Sequence, residues 1–226
     1  MKKLYLIILA TFLTLSLAAC GDDTDDEPVP YEHNVPDAYS VILNDLGYAE
    51  YLSMNNPVVT ITVKDIGDIK LQLFPSVAPI SVDNFIKYIQ DGAYENNEFH
   101  RVIANFMIQG GQLEEPVCSI EGEMTNNPGT DFTNELKHYK GVLSMARVGG
   151  NYDSGSSQFF IMHNYTQSLD NEYASFGGVV NGFHIVDYIA SLQVENAEYT
   201  VTPIIIENIT VDLNGYVPND RVCATD

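Results

Sequence analysis

The chain has 226 residues, and 45% of them are hydrophobic, which is enough for one folded domain of ordinary size with extensions. Lys and Arg number 10 against 31 Asp and Glu, so the formal net charge is −21. This excess of acidic residues argues against binding nucleic acid through its phosphates, because such binding needs clustered cations. Three cysteines are too few for a disulfide framework and lack the spacing of a metal site.

The first twenty residues resemble a bacterial lipoprotein signal. Two lysines precede an apolar run over residues 4–17, which is too short for a comfortable membrane span. The run ends in Leu17-Ala18-Ala19-Cys20, which resembles a lipoprotein cleavage box. We therefore predict a signal peptide over residues 1–19 and lipidation of Cys20, which would anchor the mature chain to a membrane outside the cytoplasm. An ordinary cleaved secretory peptide or an uncleaved anchor is the alternative.

Two segments separate this signal from the main domain. Residues 20–34 are acidic, contain prolines and have few hydrophobic side chains, which predicts a disordered, self-repelling tether. These acids lack the glycine and the terminal glutamate of an EF-hand loop, which argues against a calcium site. Residues 35–56 are more apolar, and we interpret them as an N-terminal extension that packs on the domain.

The main domain is predicted over residues 57–214, followed by a tail over residues 215–226. Alternating apolar residues on both sides of a turn at residues 65–68 predict a β-hairpin. Apolar residues then recur at helical spacing, which predicts a helix with Ser81 as its N-cap that ends at Gly92.

The rest of the domain consists mostly of predicted strands. The predicted elements are strands at 98–103 and 106–109, a long loop at 113–136, a strand at 142–146, a glycine-rich loop at 147–157, strands at 158–161 and 173–180, a helix at 183–192 and a strand at 204–211. Many strands with two helices, and without strand–helix alternation, predict a mainly β fold, a closed and mostly antiparallel barrel.

One segment of this domain combines unusual chemistry. It contains Arg101 in a very acidic chain, beside aromatic residues, Met107 and Gln109, and it ends on Gly110-Gly111. A cation, an apolar floor and an amide donor together suit a neutral, partly apolar ligand that contains an amide. A buried pair of strands with one arginine reaching solvent is the alternative, since such a cluster is only probabilistic evidence of a site.

Three sequence blocks follow one another in the domain. They are Phe99-His100-Arg101-Val102-Ile103 with Phe106-Met107-Ile108-Gln109-Gly110-Gly111, then Gly141-Val142-Leu143-Ser144-Met145-Ala146 with Gly155-Ser156-Ser157-Gln158-Phe159-Phe160-Ile161, and finally Leu169-Asp170 with Phe176-Gly177-Gly178-Val179-Val180. In this order and spacing they resemble the cyclophilins, the cyclophilin-type peptidyl-prolyl cis/trans isomerases. The resemblance spans residues 57–212 and implies an eight-stranded barrel capped by two helices. It also implies a monomeric enzyme that acts on proline-containing polypeptides without a cofactor, metal or nucleophile.

The resemblance implies a role for individual residues. Arg101 would be catalytic, together with Gln109. The residues that would bind the substrate are Phe106, Met107, Ala146, Arg147, Gln158, Phe160, Leu169 and Tyr173. Rotation about a peptide bond breaks no covalent bond, so the enzyme needs only to favour the twisted state in which the lone pair is localised on the prolyl nitrogen. The planar fork of an arginine can do this when it is directed at the prolyl amide.

Some positions depart from the best-known cyclophilins. Ser168 stands where they have an indole, which predicts weak sensitivity to cyclosporin, and Tyr173 stands where they have a histidine. Arg147 replaces a common asparagine and would add a second cation that alters substrate choice. These departures leave open a second hypothesis, a proline-peptide binding module or chaperone with low turnover. His100 is expected to point away from the site, as a core histidine with a satisfied hydrogen bond.

Two cysteines of the mature chain are candidates for a disulfide bond. Cys118 lies in the long loop and Cys223 in the C-terminal tail. Outside the reducing cytoplasm they can pair and tie the tail to the loop, although the sequence does not show whether their geometry allows it.

Overall fold

A computed structural model of the protein describes residues 43–114, 118–192, 194–195, 199–200 and 202–224. The predicted signal peptide, Cys20 and the predicted tether lie outside these residues. None of the helices in the described part of the chain is long and apolar enough to cross a membrane.

The strands form where apolar residues alternate, because every second side chain of a strand faces the core. In the first hairpin the buried residues are Val59, Ile61, Val63, Ile69, Leu71 and Leu73. The strands are β1 (Val58–Val63), β2 (Gly67–Leu73), β3 (Asn97–Glu98), β4 (Arg101–Ile103), β5 (Met107–Gly110), β6 (Val142–Met145), β7 (Phe159–Met162), β8 (Ser175–Asn181), β9 (Val194–Glu195), β10 (Tyr199–Thr200) and β11 (Ile205–Asp212). The helices are α1 (Pro79–Gln90) and α2 (Phe183–Ser191), and single 3₁₀ turns occur at Leu43–Asp45, Ala49–Tyr51, Tyr152–Ser154 and Gln167–Leu169.

Nine of these strands form one antiparallel sheet in the order β3-β11-β1-β2-β8-β6-β7-β5-β4. Its two edge strands, β3 and β4, are consecutive in the chain and are separated only by Phe99 and His100. The sheet is therefore curled, which confirms the mainly β barrel architecture with two helices. It is a half-barrel rather than the predicted closed barrel, because β3 and β4 pair only with β11 and β5 and not with each other. The count is nine strands rather than eight, because the predicted strand at 98–103 is broken into two short pieces that pair with β11 and β5. β9 and β10 form a separate ribbon.

Helix α1 begins two residues before the predicted N-cap. Pro79 occupies a first-turn position, where its missing N–H is not needed for a helical hydrogen bond. The free N–H groups of Ile80 and Ser81 donate to the two carboxylate oxygens of Glu123, at 2.9 and 2.7 Å. Glu123 is fully buried, and burial raises the pKa of its carboxyl while these donors lower it. The predicted Ser81 cap is therefore wrong, since a side chain 42 residues away caps the helix.

The described part of the N-terminal extension packs on the barrel through Tyr48. Its ring is fully buried and lies against Gly178, where an added Cβ would overlap it. Its hydroxyl donates to the carbonyl oxygen of Val179 at 2.7 Å. The neighbouring Tyr51 ring lies 5.8 Å from the ring of Phe74. The packed core thus extends into the segment before the first hairpin.

The C-terminal tail is fastened across α1. Cys118 and Cys223 form a disulfide bond between the long loop and the tail. The Asp83 side chain of α1 accepts hydrogen bonds from Tyr216 and Asn219 of the tail, at 2.6 and 2.9 Å. The loop, the tail and the helix are therefore held together by covalent and polar contacts.

Candidate active site

Three neighbouring strands place the first site residues in one row. Arg101 on β4 lies opposite Gln109 on β5, and Gln109 lies opposite Phe160 on β7. The Arg101 guanidinium donates to Oε1 of Gln109 at 3.3 Å. The amide nitrogen of Gln109 donates in turn to Oε1 of Gln158 at 2.8 Å. The orientation of Gln109 is therefore set from both sides, with its oxygen toward the cation.

A cavity of about 200 Å³ lies beside this row. Its lining consists of Arg101, Phe106, Met107, Gln109, Ala146, Arg147, Phe160, Leu169 and Tyr173. These are nine of the ten residues predicted for catalysis and substrate binding, and the tenth, Gln158, is bonded to Gln109. Drug-sized ligands occupy cavities of roughly 300–1,000 Å³, so this one suits a small group such as a single ring. The structure brings the predicted residues together, and their individual roles stay predictions.

The floor of the cavity is apolar and packed from behind. Met107 and Phe160 are 1% and 4% exposed, so neither has room to move aside. The Phe160 ring stacks on His138 with 6.1 Å between ring centroids, and Tyr173 meets it edge-on at 5.8 Å. Such aromatic contacts add to the stabilisation from buried area.

His138 anchors a buried polar cluster behind Phe160. Its Nδ1 lies 3.2 Å from Oδ1 of Asp170, and its Nε2 lies 3.1 Å from Oγ of Ser144. The single proton of the Ser144 hydroxyl can go either to this ring nitrogen or to the carbonyl oxygen of Ala174 at 2.9 Å. Burial lowers the pKa of His138 to about 4, although the Asp170 carboxylate opposes this shift. The ring is therefore neutral at pH 7. Sequence reasoning missed this cluster, because His138 lies outside the recognisable blocks.

Arg147 lies in the cavity wall and is ion-paired, which the sequence did not indicate. Its guanidinium is sandwiched between the rings of Tyr152 and Tyr173, 4.6 Å from each centroid. Its Nη2 lies 3.4 Å from Oε2 of Glu172. The predicted second cation is thus paired with an anion. Tyr152 and Glu172 were not among the predicted site residues, since their sequence neighbourhood contains only loop signals.

Two further positions near the site were singled out in the sequence. His100 is half-buried rather than a core residue. Its ring interacts with the backbone of Glu98 and the side chain of Gln158, whereas its Nδ1 has no hydrogen-bond partner among the described residues. Burial lowers the pKa of this ring. Ser168 is exposed on a 3₁₀ turn and does not line the cavity.

The lining offers binding groups rather than a pair of nucleophile and base. It combines two guanidinium groups, Arg101 beside the amide of Gln109 and Arg147 paired with Glu172, with an apolar floor. In the described part of the chain, no three or more His, Cys, Asp or Glu side chains are grouped so that they could hold a metal ion. The arrangement can orient a carbonyl and a nitrogen of a bound amide over an apolar ring.

Comparison with known proteins gives matches over the same region. The family model described as "Cyclophilin type peptidyl-prolyl cis-trans isomerase/CLD" matches residues 58–211, which include every residue of the candidate site. A peptidyl-prolyl cis-trans isomerase-like 3 of Dictyostelium discoideum is 33% identical over 150 residues, covering 66% of this chain and 92% of that protein. A peptidyl-prolyl cis-trans isomerase A of Dickeya dadantii is 40% identical over 136 residues, covering 58% of this chain and 70% of that protein.

A solved structure is similar in fold as well. It is a cyclophilin type peptidyl-prolyl cis-trans isomerase of Cryptosporidium parvum, crystallised in the presence of the dipeptide Ala-Pro. Its sequence is 31% identical to this chain, the TM-score is 0.59, and the match covers 69% of this chain and 98% of that chain.

Proposed function

Because the chain belongs to the cyclophilin-type peptidyl-prolyl cis-trans isomerases, we propose that it accelerates rotation about X–Pro bonds with Arg101 as the catalytic side chain. The observation that supports this most directly is the row of Arg101, Gln109 and Phe160 along one side of the 200 Å³ cavity. The cation and the apolar floor are held at a fixed distance by the strand register. A proline ring in the cavity would place its amide next to the guanidinium.

The barrier to this rotation comes from resonance in the amide. Lone-pair density shared between nitrogen and carbonyl gives a barrier of about 18–20 kcal/mol. In the twisted state the lone pair is localised on the prolyl nitrogen. A donor that meets this nitrogen, or that holds the carbonyl in the twisted geometry, stabilises the transition state more than the planar ground state. Arg101 supplies that donor, and its hydrogen bond to Gln109 limits the directions in which the guanidinium can point.

The apolar part of the site would hold the proline ring while the rest of the bond turns. Phe106, Met107, Phe160 and Leu169 are the apolar side chains of the lining. The dipeptide in the Cryptosporidium structure supports a proline-containing peptide as the ligand here. The half-buried Ala146 and Arg147, at the end of β6, would border the residue that precedes the proline.

We further propose that the protein works outside the cytoplasm, anchored through lipidated Cys20, where it assists the folding of exported proteins by shortening slow prolyl steps. The disulfide bond between Cys118 and Cys223 supports this compartment, because disulfides persist mainly in oxidising surroundings. A Cys20→Ser variant expressed in a bacterial host should leave the membrane fraction and lose incorporation of labelled fatty acid. Unchanged membrane retention without the label would contradict a lipid anchor.

A reporter peptide with one X–Pro bond tests the enzymatic proposal. The rate of cis-to-trans conversion is measured with soluble protein that starts after Cys20, and with its Arg101→Ala variant. We expect strong acceleration that falls by about 100-fold or more in the variant, as for the loss of a single transition-state donor. The Arg221→Ala variant is the matched control, since this arginine lies over Tyr88, outside the cavity.

The control separates loss of a site residue from loss of any arginine. Arg221→Ala should keep the wild-type rate. Folded wild-type protein without any acceleration would contradict the proposal and favour a proline-peptide binding module.

A further inference from the structure

Glu172 lies outside the proline cavity but holds one of its walls. Its Oε1 accepts a hydrogen bond from the amide of Asn126 at 2.6 Å. Its Oε2 accepts from the Tyr152 hydroxyl at 3.1 Å and lies 3.4 Å from Nη2 of Arg147. Its backbone carbonyl accepts from Nε of Arg147 at 2.9 Å. Two separate segments of the chain, one with Asn126 and one with Arg147 and Tyr152, thus converge on one acidic residue.

The contacts of Glu172 hold Arg147 in position and compensate its charge. The Arg147 side chain is 8% exposed and that of Glu172 is 34% exposed, so the guanidinium has lost most of its water and the carboxylate compensates its charge. The guanidinium also lies over the rings of Tyr152 and Tyr173, 4.6 Å from each centroid, and these contacts add to those that hold its position. The hydrogen bond to the Glu172 carboxylate raises the pKa of the Tyr152 hydroxyl.

We propose that Glu172 is a specificity-determining residue, which neutralises Arg147 so that the cavity does not select acidic residues before the proline. The inference rests on the proposed function, in which Arg147 borders the residue preceding the proline. With the carboxylate present, the pair is formally neutral, and acidic, neutral and basic side chains meet a similar potential at that position. Without it, the fixed guanidinium attracts an acidic side chain and repels a basic one.

The experiment compares three reporter peptides that differ only in the residue before proline: Glu, Ala or Lys. The kcat/KM of each is measured at low ionic strength for wild type and for Glu172→Gln, in which the amide keeps the size of the side chain and one acceptor oxygen. In Glu172→Gln, the ratio of kcat/KM for the Glu-Pro peptide to kcat/KM for the Ala-Pro peptide should be about fivefold higher than in wild type. The corresponding ratio for the Lys-Pro peptide should be lower by a similar factor. Both changes should shrink in 1 M salt, where the screening length is about 3 Å.

Two further variants separate charge from structure. Arg147→Gln in the Glu172→Gln background should return both ratios to the wild-type values, because the uncompensated charge is removed. Asp91→Asn is the matched control: it also removes one carboxylate from an acid–cation pair, with Lys87 at 2.6 Å, but it lies outside the cavity. Its ratios should equal those of wild type.

The outcomes distinguish failure of this inference from failure of the enzymatic proposal. If Glu172→Gln lowers kcat/KM equally for all three peptides, Glu172 only supports the wall, and the specificity role is refuted. If wild type accelerates none of the peptides, the enzymatic proposal fails, and calorimetric dissociation constants of the same peptides replace kcat/KM. If only Glu172→Gln then binds the Glu-Pro peptide more tightly than the others, the role of Glu172 in specificity is upheld for binding. If the variant shows no such preference, that role is refuted.

Discussion

His138 should make the stability of the protein depend on pH below neutrality. Its ring is fully buried, and burial lowers its pKa to about 4. The folded protein therefore keeps the ring neutral down to about pH 4, whereas the unfolded chain takes up a proton near pH 6.5. Since the unfolded state binds more protons in this window, the free energy of unfolding falls as the pH falls from about 6.5 to 4.

The size of the effect follows from the two pKa values. Each pH unit between them corresponds to about 1.4 kcal/mol. A folded pKa of about 4 for His138 gives a loss of about 2 kcal/mol at pH 5 and roughly 3 kcal/mol at pH 4. This is a large share of the 5–15 kcal/mol that typically separates a folded domain from its unfolded state.

Urea unfolding at pH 7.5, 6.5 and 5.0 measures this loss in wild type and in His138→Gln. The variant should be less stable at pH 7.5, because its amide cannot reach both Asp170 and Ser144 as the ring does. Between pH 7.5 and 5.0, however, it should lose about 2 kcal/mol less than wild type. Carboxylates and histidines that do not touch residue 138 contribute equally to both proteins, so the difference reports on His138 together with its partner Asp170. Parallel curves, or an NMR titration of the wild-type ring with a midpoint near 6.5, would refute the reasoning.

Two other predictions concern the segments at the ends of the domain. Tyr48→Phe keeps the buried ring but removes the 2.7 Å hydrogen bond to the carbonyl oxygen of Val179, so chemical denaturation should show that the free energy of unfolding falls by about 1–2 kcal/mol. An unchanged midpoint would mean that the ring alone holds the extension on the barrel. Cys223→Ser opens a covalent loop between residues 105 positions apart, which should lower stability by up to about 4 kcal/mol and make the melting temperature insensitive to dithiothreitol. A wild-type melting temperature that does not respond to the reductant would contradict a stabilising disulfide.

Short-range patterns predicted the mainly β barrel, and the family resemblance supplied the members of the site. Alternation of apolar residues marks β1 and β2 directly, because one face of each strand is buried. Arg101 and Gln109 lie eight residues apart on paired strands, so a single hairpin register brings them together. Phe160 joins them because β7 pairs with β5. The resemblance of the sequence blocks implied that pairing, because similarity to a family implies the same strand register.

Contacts between remote loops could not be predicted in the same way. Glu123 caps a helix that begins 44 residues earlier in the chain, and Glu172 bonds to Asn126 across 46 residues. Neither glutamate lies in a periodic pattern, so the sequence shows only an acidic residue in a loop. The pairing of Arg147 could not be predicted for the same reason: its charge was visible in the sequence, whereas the anion that compensates it was not.

In the proposed mechanism these remote contacts have a shared consequence for catalysis. An enzyme that accelerates rotation must bind the twisted amide better than the planar one, and a cavity that adapts to both would bind them equally. Both aromatic walls of this cavity are backed by fixed groups: Phe160 lies on the buried His138, and Tyr173 lies on the paired Arg147. These groups are themselves held by hydrogen bonds, His138 to Asp170 and Ser144 and Arg147 to Glu172, which resist displacement of the two walls. The polar residues behind the cavity therefore help to keep its shape complementary to one state of the bond.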